Sequence, residues 1–93
     1  MTVWQVRRDV PLAWEFVDER FVVFHGGSGL THLLDWLSGE VLLRLAHAPA
    51  TTQNLSAFVA GLLEESPGGE IDRLTTGILA RLEQAWLVER TAS

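Results

Sequence analysis

The chain has 93 residues, no cysteine, no lysine and a formal charge of −5, which fits one small domain over residues 1–93 and excludes disulfides, thiol catalysis and thiolate metal sites. Apolar residues make up 47%, too many for a disordered tail, and seven basic residues against twelve acidic ones argue against the broad basic face of a nucleic-acid binder. No run approaches the roughly 18 uninterrupted apolar residues of a membrane span. The opening MTVWQVRRDV lacks a signal-peptide core, so a cytoplasmic protein is expected.

Val3-Trp4-Gln5-Val6 reads as a short edge strand, set off by Pro11. Residues 12–17, LAWEFV, are large and β-branched and predict a strand, as do residues 20–25, RFVVFH. Asp18-Glu19 between them suits a two-residue turn. Residues 26–29, GGSG, permit positive φ and reverse the chain again. Leu30-Thr31-His32-Leu33-Leu34 returns as the third strand of the meander.

At Asp35, a helix cap, the period changes. Trp36 opens a first helix with Leu37, Val41, Leu42 and Leu45 at helical spacing, stopped by Pro49. His47 is placed to meet its terminal carbonyls. Thr51 or Thr52 caps a second helix with the stripe Leu55, Phe58, Val59, Leu62 and Leu63. After the Ser66-Pro67-Gly68-Gly69 loop, Glu70 and Asp72 suit the positive end of a third helix, whose expected inner face is Ile71, Leu74, Ile78, Leu82 and Ala85. Trp86-Leu87-Val88 leaves it as an extended tail. The expected fold is α+β: a three-stranded antiparallel β-meander followed by three helices, winged-helix-like.

The glycines do not make a phosphate loop. Without lysine, G-x-x-x-x-G-K-[ST] cannot be completed; G-x-G-x-x-G is absent; and the position two after Ser28 is Leu30, so no nucleophile elbow exists. A hairpin is the ordinary reading. In its register Phe16 faces Phe21, Trp14 faces Val23, Val23 faces His32 and His25 faces Leu30. His25 and His32 become diagonal neighbours on one face. That face supplies no carboxylate as third ligand, so the pair is read as structural and no metal or cofactor is expected. Ser28, Thr31 and His32 lack an acid to complete a triad, and the protein is read as non-enzymatic.

The opposite sheet face, Ala13, Glu15, Val17, Val22, Phe24, Thr31 and Leu33, is also largely apolar. Either Val3, Trp4 and Val6 fold across it, or it awaits a partner such as a second copy of the chain. The third strand, as the margin of the meander, offers main-chain groups to an extended peptide. With the third helix alongside, Leu30, Thr31, His32, Leu33 and Leu34 would give register, and Arg73, Thr75, Thr76 and Arg81, turned away from the apolar stripe, would give selectivity. Gly77 either admits the peptide closely or is a tolerated helix glycine that costs about 1 kcal/mol.

The run Ser28-Gly29-Leu30-Thr31-His32-Leu33-Leu34, followed by Asp35-Trp36-Leu37-Ser38-Gly39-Glu40-Val41-Leu42, resembles the PqqD-like peptide chaperones, and most of all the branch associated with the HPr-rel-A system. The helix start Thr51-Thr52-Gln53-Asn54-Leu55 and the ending Leu82-Glu83-Gln84-Ala85-Trp86-Leu87-Val88-Glu89 are similar too, although Trp86 stands where that family commonly has glycine. The resemblance implies a RiPP recognition element. Such a domain binds the leader of a ribosomally made precursor peptide as an added strand, between the third strand and the third helix, and presents it to a modifying enzyme. The alternative is a winged-helix DNA-binding regulator, which the helical order permits but the acidic neighbours of Arg73 and Arg81 disfavour.

Overall fold

The structure, a computed structural model, describes residues 2–7, 12–26 and 29–92. Pro11 as separator, and Gly27 and Ser28 in the second turn, lie outside the described residues. The chain runs β1 (Thr2–Val6), β2 (Leu12–Val17), β3 (Arg20–His25), β4 (Leu30–Leu34), α1 (Trp36–His47), β5 (Ala50–Thr51), α2 (Thr52–Leu63), α3 (Gly69–Gln84) and β6 (Val88–Ala92).

The expected meander is present, with strand order β2-β3-β4. Its register is the one that the two turn lengths dictate. Phe16 pairs with Phe21, Trp14 with Val23, Val23 with His32 and His25 with Leu30. Asp18 and Glu19 both take positive φ, 51° and 63°, the mark of the tight hairpin turn whose twist matches its flanking strands. At the other hairpin Gly29 has φ 73° and its N–H donates to the His25 carbonyl at 2.9 Å. That conformation is one glycine adopts at no steric cost.

α1 covers the middle of one face of the meander. Val23 is fully buried, and Phe21 and His25 nearly so. The Phe21 ring lies so close to the α1 backbone that a Cβ at Gly39 would overlap it. This explains a glycine in a helix interior, where it costs about 1 kcal/mol relative to alanine. Asp35 caps α1 as expected, its Oδ1 accepting from the Ser38 N–H at 2.7 Å. Thr51 caps α2, its Oγ1 accepting from the Asn54 N–H at 3.1 Å. The carbonyl contact at the end of α1 comes from Arg44, whose guanidinium donates to Ala48 O at 3.1 Å, while His47 is exposed.

A second sheet corrects the reading of the N-terminal strand. Val3–Val6 does not form an edge of the meander. Within β1 it is the central strand of an antiparallel sheet of order β5-β1-β6, with Trp4 opposite Ala50 on one side and Arg90 on the other. Trp4 is buried there, its indole Nε1 donating to Thr52 Oγ1 at 2.8 Å, with the Arg90 guanidinium 5.3 Å above the ring. The strand therefore joins the core and does not fold across the outer face of the meander. Helix, short strand, two helices and a strand around this sheet make the winged-helix-like unit, with its central strand drawn from the other end of the chain.

The core lies between the helices and both sheets. Leu42, Leu55, Ile78, Leu79, Leu82 and Leu87 are almost wholly excluded from water. Each contributes about 1.5–3 kcal/mol of burial. The inner face of α3 is Ile71, Thr75, Ile78, Leu79 and Leu82. Leu74 was expected there and is 38% exposed. Once Ile71, Ile78 and Leu82 point inward, the positions between them at helical spacing are 75 and 79, and 74 falls to the flank.

Candidate functional site

β4 ends the meander, and among the described residues no strand pairs with its second edge. Side chains along it alternate in the usual way. Leu30, His32 and Leu34 share the face that carries Phe21, Val23 and His25, while Thr31 and Leu33 stand on the outer face beside Phe24 and Val22. Leu30 and Leu33 are about equally exposed, at 59% and 60%; Thr31 is exposed, and His32 and Leu34 are half-buried. The five residues proposed from sequence are thus brought together on one strand at a sheet margin.

The outer face is largely apolar, with Glu15 and Thr31 among its exposed residues. In register, Glu15, Val22 and Leu33 form one row across the three strands, and Ala13, Phe24 and Thr31 the next. Phe24 and Val17 are each 43% exposed. Three apolar side chains this open on one small sheet are the kind of surface that marks an interaction site. At one end of the same sheet lie the exposed Asp18 and Glu19 of the β2–β3 turn, Arg20 beside them and Asp35 just after β4, and the exposed Glu15 stands in the Leu33 row.

The helical part of the expected site is divided. Arg73, Thr76 and Arg81 are exposed on α3, and Gly77 is half-buried with open space where a Cβ would stand. Thr75 does not belong with them. It is wholly buried, and its hydroxyl donates to the Ile71 carbonyl at 2.8 Å, which satisfies a polar group inside the core. The expectation that Thr75 faces a peptide is overturned by its place on the inner stripe. The main packing neighbours of α3 are α2, α1 and β6, whereas those of β4 are β3 and α1. The strand residues and the helix residues thus share α1 as a neighbour, while β4 is not among the main packing neighbours of α3.

His25 and His32 lie diagonally across β3 and β4 with ring centroids 6.4 Å apart, edge to face. Among the described residues no group of three His, Cys, Asp or Glu comes together around them or elsewhere. Glu83 on α3 is held by Arg90 in a two-point ion pair at 2.8 and 3.1 Å. The sequence reading also missed a cleft of about 420 Å³ between the two sheets, walled by Val6, Leu12, Trp14 and Leu45 with Arg7 at its rim. It is lined by residues of β1, β2 and α1, and the meeting of elements so far apart in sequence has no signature in local periodicity.

Trp86 ends α3 in the left-handed conformation, φ 62°. Its N–H donates to the Glu83 carbonyl and that of Leu87 to the Leu82 carbonyl, both at 3.0 Å, the bonding of a Schellman motif. The turn thus takes the shape that glycine favours, with tryptophan in place. The ring is 62% exposed and the Arg7 guanidinium lies 4.8 Å from its centroid. No described helix is long and apolar enough to cross a membrane. No family model, curated protein or solved structure matches the chain.

Proposed function

We propose that the chain is a non-catalytic peptide chaperone that takes the leader of a ribosomally made precursor as an added strand on β4 and presents it to a modifying enzyme. The observation that carries this reading is that among the described residues no strand pairs with the second edge of β4, which bears exposed leucines on both of its faces. An extended guest would gain main-chain hydrogen bonds along that edge and bury apolar surface on each side of it. Arg73, Thr76, Gly77 and Arg81 would meet the part of the leader that continues beyond the strand. The resemblance to PqqD-like proteins points the same way.

Titrating isotope-labelled protein with the leader of a precursor encoded beside its gene tests the reading. Amide shifts concentrated at Thr31–Leu34, with a weaker set at Arg73–Arg81, are expected. Shifts confined to β2, the other margin of the meander, would overturn it. We further propose a homodimer through the outer face of the meander, whose apolar side chains no described element covers.

A second reading, duplex DNA binding, is favoured by the winged-helix-like order and by Arg73 and Arg81 on the exposed side of α3. Glu70, Asp72 and Glu83 on the same helix cancel that charge. Duplex affinity that falls steeply with salt would support this reading over the first.

A further inference from the structure

The guest strand's own chemistry can be read from the surface it would extend. A strand added to β4 continues each row of the outer face by one residue. One guest side chain falls beside Leu33, in the row Glu15, Val22, Leu33, and another, two positions along, falls beside Thr31 in the row Ala13, Phe24, Thr31. Leu33, 60% exposed, is covered by a large apolar side chain at the first guest position, and Phe24, 43% exposed one strand beyond Thr31, is reached by a long apolar side chain at the second. Charge is distributed unevenly along the same strand. The exposed acids Asp18, Glu19 and Asp35 lie at the end of the sheet where Leu34 runs into Asp35, Glu15 lies in the Leu33 row, and Arg20 is the cation of that end among the described residues. Around Leu12, His25, Gly26, Gly29 and Leu30, at the opposite end, the described residues include no carboxylate.

We infer that β4 selects an extended segment with two large apolar residues in an i, i+2 relation, flanked by arginine or lysine on the side that lies at the Asp35 end. This inference rests on the strand-addition reading above and narrows it. An acidic flank meets like charge there. The acids are exposed, so the preference is screened by salt. Opposite charges at such exposure contribute small free energies that add over several contacts.

Three synthetic nine-residue peptides test this. The first alternates leucine with threonine and carries two lysines at each end, so that one pair lies at the Asp35 end in either strand direction; the second carries two glutamates at each end, and the third keeps the lysines but replaces leucine with serine. Affinities are measured by fluorescence anisotropy, and sites by amide shifts. The lysine-ended leucine peptide should bind about tenfold more tightly than the glutamate-ended one, a gap that narrows at high salt, and the serine peptide should bind more weakly than either. Glu15→Lys should shrink the lysine preference, and Glu15→Gln serves the same purpose should the lysine disturb the hairpin. Equal affinities of lysine- and glutamate-ended peptides, with shifts at Thr31–Leu34, would overturn the charge rule and leave strand addition standing. A serine peptide that binds as well as the leucine peptide would overturn the apolar rule. Absence of shifts in β4 with every peptide would overturn both inference and reading.

Discussion

At the residue scale, two glycines that look alike in the sequence are in opposite situations. Gly39 faces the Phe21 ring with no room for a methyl group, whereas Gly77 faces open space. Gly39→Ala should therefore destabilise the protein by roughly 1–3 kcal/mol through overpacking. Gly77→Ala should stabilise it by up to about 1 kcal/mol. Urea denaturation of both variants checks the pair of signs. Gly61 is equally open in α2, so Gly61→Ala gives the same gain in stability at a site away from α3. If a leader passes over α3, Gly77→Ala weakens its binding and Gly61→Ala does not. Glu64 ends α2 at φ 55°, exposed, with its N–H near the Ala60 and Gly61 carbonyls. Left-handed backbone costs a non-glycine residue about 1–2 kcal/mol, so Glu64→Gly should raise the urea midpoint.

At the level of elements, the meander and the three helices were legible because their signals are local. Alternation marks β2 and β3, turn lengths fix the register, and Asp35 and Thr51 announce the helix starts. Loss of either cap should cost about 1 kcal/mol. In a thermal scan Asp35→Ala and Thr51→Ala should each lower the midpoint by several degrees. The second sheet was not legible. β5 is two residues long, and β6 meets β1 across a separation that no window of sequence spans. Thr75 was misplaced for a related reason. A threonine looks like a surface residue until its hydroxyl is seen to bond the carbonyl one turn earlier. The candidate site was legible in its strand half, where position in the meander makes an edge. It was less so in its helix half, where exposure depends on which neighbours α3 finds.

For the whole molecule, the open questions concern what covers the meander. A homodimer through the outer face predicts a sedimented mass that doubles as concentration rises, and Phe24→Glu or Leu33→Glu should return it to the monomer. Both side chains are exposed, so neither change should unfold the protein. The other sheet has a consequence for how the protein is made. Its middle strand is synthesised before both of its neighbours, and β6 follows it by roughly eighty residues. Vectorial synthesis can complete the meander first, but Trp4 must wait for β6 to find its place. Any delay in translation ahead of β6 prolongs the life of a half-assembled intermediate with its central strand exposed to aggregation.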